Sequence, residues 1–338
     1  MQTQQTIRSR ITRILMCTLL VGLLPTLISQ QAVAADFPTK PVTLVVPFAA
    51  GGGLDVTARI IGERLKDELG QPVVILNRPG AGSSVGARVV AAAPADGHTL
   101  FFTSGSAFAF ANLLVPNFEL NIKDFAPVAA VASNPAVIVV STKVQVKSLA
   151  ELAGYANSGE INFCSTGSGG LNHLQLEMFR NIVKTKTSKN YNVTHVPYNG
   201  LAPALIGIRD GSVQACMLPY TALVKNLNGK ELRVLAVQSK ARLPWLPDVP
   251  TTGQLGYPEM DGNDSFVNIA APKGTPEPVI AKLEIALQKT MQDVNVRKKL
   301  EELEVQTLFM SSRETTKWLE DEVRKFSGII RESGLSTK

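Results

Sequence analysis

The sequence predicts an α/β protein built on two open, mostly parallel sheets. Three observations predict it. Short β-branched runs without polar alternation recur along the chain, as in strands buried on both faces. Helical patterns lie between them. The strand, small-residue loop and helix start of residues 42–55 return in outline at residues 161–174.

The first segment is not part of that fold. Arg8, Arg10 and Arg13 form a positive region, Ile14 to Ile28 is an apolar core, and Ala32-Val33-Ala34 is a small-x-small cleavage site. Residues 1–34 therefore read as a secretory signal peptide cleaved after Ala34, giving a soluble exported product. A membrane anchor fits less well, because the apolar stretch is shorter than the ~20 residues a span needs. Cys17 in that core lacks the small residues of a lipoprotein box.

Removing residues 1–34 leaves 31 basic against 28 acidic residues. So small an excess, without basic and aromatic residues clustered on one segment, excludes a nucleic-acid partner. The remaining ~300 residues suggest two domains. Cys164 and Cys216 survive, too few to staple the fold. Each ends a predicted strand. A bond between them is conceivable, although both read as buried and disulfide geometry is demanding.

The strands predicted are Val42–Val46, Val73–Leu76, Thr99–Thr103, Val137–Ser141, Ile161–Ser165, Val193–Pro197, Val213–Leu218, Leu232–Gln238 and Phe266–Ala271. Helices are predicted at Asp55–Leu69, Ser84–Ala93, Leu149–Asn157, Leu171–Val183 and Ala202–Asp210. Ser148-Leu-Ala-Glu151 and Ser311-Ser-Arg-Glu314 are capping boxes, and Thr275-Pro276 places a cap before a first-turn proline. After Gly274 the chain reads as helices only: Pro276–Asp293, Val296–Leu303 and Arg313–Ser333.

Residues 43–55 carry the most chemistry. An apolar run stops at Pro47, three glycines follow (Gly51 to Gly53), and a helical pattern begins at Leu54-Asp55. Glycines let a ligand touch the main chain, and amides at a helix start suit an anion. The glycines could instead form only a tight turn, but such a turn needs one or two residues with positive φ. Asp55 reads as a helix N-cap that could also order the loop. Thr166-Gly167-Ser168-Gly169-Gly170 offers a second such loop at the C-terminal end of a strand, where open α/β sheets bind ligands.

Seven segments in order cover essentially the whole mature chain: Pro47–Asp55, Gly70–Gly82, Ala95–Leu100, Lys123–Val128, His195–Gly200, Leu235–Val237 and Leu246–Thr251. On them the chain resembles the Bug-type periplasmic solute receptors of tripartite tricarboxylate transporters, which are type II periplasmic binding proteins. The resemblance implies a two-lobe Venus-flytrap fold joined by two crossover segments, near 138–143 and 262–268. Lobe one takes residues 36–140 and 263–338, and lobe two 141–262. It also implies a monomer that encloses a small carboxylated organic acid and docks on the membrane subunits of a transporter. No cofactor and no enzymatic activity are expected. A sensor that presents its closed form to a kinase is the alternative.

Carried over residue by residue, the first ligand loop is Phe48, Ala49, Ala50, Gly51, Gly52 and Asp55. The second is Ser165, Thr166, Gly167, Ser168, Gly169 and His173. Pro197, Tyr198 and Gly200 match a third segment. Thr103, Ser104 and Ser106 fall on a hydroxyl-bearing loop, and Phe266 on the return crossover strand. Taken by themselves, His173 could contact ligand or pack, and Tyr198 could be core. His98 and His195 read as structural. Where the family often has Asp-Asn, this chain has Leu218-Pro219 with Tyr220 behind them. That favours a dicarboxylate or aromatic acid with an apolar body, held by amides and hydroxyls rather than salt bridges.

Two catalytic motifs are decoys. Gly82-Ser83-Ser84-Val85-Gly86 fits G-x-S-x-G, but the Asn77–Gly80 loop makes the turn too long for a nucleophile elbow, and no histidine has the setting of a catalytic base. A secreted hydrolase is therefore only a distant alternative. Gly80, Gly82 and Gly86 loosely resemble a dinucleotide loop, yet the acid on the next strand is missing. No cluster has metal-ligand spacing.

Overall fold

The computed structural model describes residues 37–80, 83–104, 120–158, 161–167, 171–187, 192–198, 200–223 and 231–332. The expected leader, residues 1–34, lies outside them.

Two sheets form. The first has the order β11-β4-β10-β3-β1-β2, from β1 (Val42–Val46), β2 (Val73–Asn77), β3 (Thr99–Ser104), β4 (Phe125–Asn134), β10 (Ser265–Pro272) and β11 (Gln306–Met310). The second has the order β7-β6-β8-β5-β9, from β5 (Ala136–Ser141), β6 (Ile161–Ser165), β7 (Val193–Pro197), β8 (Ala215–Pro219) and β9 (Leu232–Val237). The helices are α1 (Gly53–Leu69), α2 (Ser84–Ala91), α3 (Leu149–Ser158), α4 (Leu171–Thr187), α5 (Leu201–Asp210), α6 (Glu277–Gln292), α7 (Val294–Glu301) and α8 (Ser312–Glu332).

The sheets are mixed rather than mostly parallel. In the first, β1 pairs in parallel with β2 and β3, whereas β10 runs antiparallel to β3 and β4. In the second, β6 is parallel to β7 and β8, whereas β5 is antiparallel to β8 and β9. The antiparallel members include the strands at which the chain changes sheets. The passage from the first sheet to the second falls at Pro135, between β4 and β5, and the return precedes β10. The sequence puts the first crossing near 138–143 and extends lobe one to residue 140. The backbone of Ala136–Ser141 is committed to β8 and β9 instead.

Two strands escape the sequence patterns. β4 (Phe-Ala-Pro-Val-Ala-Ala-Val-Ala-Ser-Asn) is rich in alanine, a helix former, and contains Pro127. It is strand because it lies between β10 and β11, where tertiary pairing overrides propensity. Pro127 sits beside a register shift, a place where a sheet tolerates proline. β11 breaks the expected all-helical C-terminal segment by pairing with β4.

Four apolar clusters hold the layers. Leu44, Ile61, Leu65, Ile269, Leu283 and Leu287 bury one face of the first sheet under α1 and α6. Its other face carries Val45, Phe101 and Ala270, covered by Val90 of α2, by Leu319 and Phe326 of α8, and by Leu174 of α4. In the second sheet, Ile138, Phe163 and Phe179 pack on one side and Val139, Ile208 and Leu218 on the other.

The predicted helix starts divide. Ser148 accepts from the Glu151 amide as expected, but the Glu151 carboxylate accepts from the Lys147 amide, one residue before the position a capping box would use. Ser311 and Glu314 exchange both bonds. Thr275 does not cap α6, because its hydroxyl donates to the Pro272 carbonyl and the N-cap position is Pro276.

Candidate functional site

β1 ends at Val46, and Pro47 to Gly52 carry the chain into α1. Among the three glycines only Gly51 takes a positive φ, +82°. Gly52 is the N-cap, at φ −73°, and has no side chain to cap with. Asp55 is therefore not the N-cap but stands inside the first turn. Its carboxylate accepts from the Gly51 amide at 2.8 Å, from Arg59 Nε at 3.0 Å and Arg59 Nη2 at 2.9 Å, and from Asn77 Nδ2 at 3.0 Å. Hydrogen bonding by Arg59 leads the causes that lower its pKa to about 2, so Asp55 stays ionised. Asn77, at the end of β2, also donates to the Phe48 carbonyl at 3.0 Å. The acid thus shapes the loop from inside and neutralises itself against Arg59. It leaves Ala49 to Gly52 exposed, Phe48 41% exposed, and the first amides of α1 without helical partners.

The neighbouring helix explains the G-x-S-x-G motif. A Cβ on Gly86 of α2 would lie 2.9 Å from Pro47 Cβ, so glycine there lets the helix approach the loop. Ser84 is buried in the first turn of α2.

In the second lobe, Ser165 is buried at the end of β6. Its hydroxyl donates to the Gly167 carbonyl at 3.0 Å, accepts from the Gly167 amide at 3.2 Å, and lies 2.7 Å from His195 Nε2. These partners assign Nε2–H as the donor to Ser165. Thr166 Oγ1 donates to Asn172 Oδ1 at 3.0 Å, tying the loop to α4. Gly200 has φ +104°, caps α5, and donates its amide to the Thr166 carbonyl at 3.2 Å. The loops after β6 and β7 are therefore one hydrogen-bonded unit. His173 stacks on His195 with ring centroids 3.7 Å apart. Burial leads the causes that push both imidazoles down to about 4, so both are neutral near pH 7. The Ser165–His195 contact resembles half a catalytic triad. However, Ser165 has no exposed surface, and its hydroxyl is spent on the loop.

The other expected contacts scatter. Thr103 is buried within β3, and Ser104 ends that strand half-buried. Ser106, Ser168 and Gly169 lie outside the described residues. Tyr198 is turned onto α5, where its hydroxyl occupies the space a Cβ on Gly207 would need. Tyr220 is 3% exposed, stacks on Trp245 at 5.9 Å, and its hydroxyl pairs with Glu304. Leu218 is fully buried in the same cluster. Leu218, from β8, and Tyr220, in the turn that follows, are thus buried in one apolar cluster rather than forming the apolar cleft corner expected of them. Phe266 packs against Trp318 of α8 at 4.6 Å.

Three residues went unnoticed or were read as structural. Asn77 shapes the first loop, and His195 the second. Asn268 sits buried in the middle of β10. A lone amide inside the apolar run Phe-Val-Asn-Ile-Ala-Ala is the signal that could have found it.

A polar cluster lies at the return crossing. Gln175 Nε2 of α4 donates to the Asn263 carbonyl at 3.0 Å, and Lys325 of α8 bonds the Asn263 side chain. Burial raises Asp264 to about 6 and Glu322 to about 7. Burial also lowers Lys325.

No group of His, Cys, Asp or Glu among the described residues could hold a metal, and no described helix is long and apolar enough to cross a membrane. A groove of ≈ 470 Å³ lies on the outer face of the first lobe, lined by Glu277, Arg313, Lys317 and Glu320, away from both loops.

Comparisons with known proteins agree with the two-lobe arrangement. Residues 57–335 match the family described as tripartite tricarboxylate transporter family receptor. Protein BugT of Bordetella pertussis is 33% identical over 311 residues, which span 90% of this chain and 93% of BugT. An R. palustris protein solved with adipate is 31% identical with a TM-score of 0.76, covering 89% of this chain and 99% of that one. MatC from Rhodopseudomonas palustris, solved with bound malate, is 28% identical with a TM-score of 0.73, covering 87% and 100%.

Proposed function

We propose, since the chain belongs to the tripartite tricarboxylate transporter receptor family, that it captures a small carboxylated organic acid between its lobes and hands it to the transporter's membrane subunits. It is a periplasmic solute receptor and not an enzyme. Residues 37–134 with 265–332 would move as one lobe and 136–262 as the other, hinged at Pro135 and at Asn263-Asp264.

The observation that carries this reading is the loop Phe48–Gly52. Asp55 and Asn77 hold it from behind, and it offers exposed main chain and helix-start amides on its outer side. That arrangement receives one carboxylate by hydrogen bonds. Thr166 and Gly167 with the start of α4 offer the matching surface in lobe two. The two relatives solved with adipate and malate support a carboxylate as the class. Closure excludes water and strengthens each bond. With Leu218 and Tyr220 in the core, the case for an apolar ligand body rests on Phe48, Pro219 and Phe266.

A thermal-shift screen of carboxylic acids tests the reading. A ligand present at about 100 times its Kd adds about 2.7 kcal/mol of stability. A shift from cationic or neutral solutes alone would refute it.

A further inference from the structure

Glu304 stands where glycine is usual. Past the end of α7 the Val305 amide donates to the Leu300 carbonyl at 2.9 Å, and the Glu304 amide to the Glu301 carbonyl at 2.8 Å. These paired bonds close a helix over one left-handed residue. Here that residue is Glu304, at φ +55°. The conformation costs an L-residue about 1–2 kcal/mol, and glycine would serve this helix end without the cost. The side chain shows what the strain supports. Glu304 Oε2 is shut off from solvent, and the polar group set against the carboxylate is the Tyr220 hydroxyl. Glu304 precedes β11 in the first sheet, whereas Tyr220 follows β8 in the second, so the contact joins the lobes. Tyr220 is held in place for it. Its amide donates to the Pro135 carbonyl at 2.8 Å, and the neighbouring Thr221 Oγ1 donates to Asn134 Oδ1 at 3.0 Å.

Strand order puts this contact behind the hinge. In the first sheet the crossing strands β4 and β10 lie between β11 and β1. Glu304 and the loop Phe48–Gly52 therefore stand on opposite sides of the crossings. Gln306 of β11 pairs with Ser133, two residues before Pro135, so Glu304 is close to the first crossing. In the second sheet β5, where the chain enters, lies between β6, which leads to the Ser165 loop, and β9, which leads to Trp245. Tyr220 stacks on Trp245 and so turns away from the ligand loops. When two bodies rotate about a hinge, surfaces on one side part as those on the other side meet. Closing the cleft therefore draws Glu304 and Tyr220 apart.

We propose that Glu304 and Tyr220 form a latch behind the hinge that holds the cleft open in the empty receptor, so that closure on a ligand must break it. The proposal rests on the receptor reading above and adds its regulation. A contact made in the open form alone lowers the population of the closed form, and the apparent affinity falls by the same fraction. The strain at Glu304 is the local cost of placing a carboxylate across the lobe boundary. The latch keeps the ligand loops accessible while the receptor is empty and reserves the closed form for the loaded one.

Small-angle X-ray scattering of the purified protein without ligand tests the latch. Tyr220→Phe and Glu304→Gly should each lower the radius of gyration below that of the parent, because the lobes are then free to meet. Glu304→Gln, which keeps an acceptor for the hydroxyl, should retain the parent's radius. In calorimetric titration with adipate and with malate, an acid that binds the parent should bind Tyr220→Phe and Glu304→Gly about tenfold more tightly, the factor for one hydrogen bond lost from the open form alone. Glu304→Gly should also raise the urea midpoint by relieving the left-handed strain, whereas Tyr220→Phe should not. An unchanged or larger radius in both variants overturns the latch, whichever acid binds. Weaker binding in both overturns it too, since the contact would then belong to the closed form. A smaller radius with no binding of either acid supports the latch and counts against the carboxylate reading alone.

Discussion

The Gly51 amide donates to the Asp55 carboxylate at 2.8 Å, so the loop is fastened to the helix that follows it. Removing the acid frees Gly51, Arg59 and Asn77 together. Asp55→Ala should cost about 1–3 kcal/mol in urea denaturation and weaken carboxylate binding in the same protein. An unchanged midpoint would show that the loop stands without Asp55. The folded pKa, about 2, lies below the ordinary 3.8. The contribution of Asp55 is therefore complete above about pH 4 and is lost as pH falls through about 2.

Gly51 and Gly52 should respond differently to alanine. Gly51 has φ +82°, a left-handed conformation that costs an L-residue about 1–2 kcal/mol. Gly52 has φ −73°, and its Cβ would meet only the Ala49 carbonyl oxygen at 3.3 Å. Gly51→Ala should destabilise more than Gly52→Ala, read from paired melting curves. The reverse order would contradict the loop geometry.

Two sets of buried groups should pull stability in opposite directions between pH 4 and 7. His173 and His195 have pKa values lowered to about 4, so their contribution is complete above about pH 6.5 and lost as pH falls toward 4. Asp264 and Glu322 are raised to about 6 and about 7, so theirs is complete below about pH 4 and lost as pH rises through 6 to 7. Each group contributes at most about 1.4 kcal/mol per pH unit. The parent protein should show a shallow profile. Glu322→Gln should expose a stability that climbs from pH 4 to 6.5. A falling profile in that variant would rule out the histidine contribution.

Cys164 on β6 and Cys216 on β8 are direct neighbours in the register, joined as a disulfide with Cα atoms 4.8 Å apart. The bridge closes a separation of 52 residues, for which chain entropy gives about 4 kcal/mol. Reductant should lower the denaturation midpoint of the parent but not that of the Cys164→Ala, Cys216→Ala protein. Equal midpoints with and without reductant would mean that the thiols are not bridged.

The parallel strands and their helices were legible because they announce themselves locally. Val42–Val46 and Ile161–Ser165 are β-branched or apolar runs stopped by a loop. β4 was not legible, since Ala129, Ala130 and Ala132 favour helix and only their neighbours β10 and β11 make them strand. The first loop could be located from its glycines. That Gly51 carries the left-handed turn, and that Asp55 is held by Asn77 from another strand, depend on contacts 22 residues apart. Tyr198 could not be placed from sequence, because its position depends on the missing side chain of Gly207, on a different helix. Likewise the direction in which Tyr220 turns depends on Trp245 and Glu304.

The strand order sets a timetable for the growing chain. β3 and β4 are separated in the first sheet by β10, which is made more than 130 residues after β4 ends. Until Ser265–Pro272 emerge, β3 and β4 lack the partner that joins them, and α6 and α8 are not there to cover their faces. The second sheet draws all five of its strands from residues 136–237, an uninterrupted stretch. Contacts close in sequence form ahead of distant ones, because less loop entropy must be overcome. The inserted lobe should therefore fold first, while the lobe that holds the amino-terminal loop stays open until its last strands arrive. The amino-terminal loop is thus made first and set in place last, once the carboxy-terminal strands and helices have closed the first sheet.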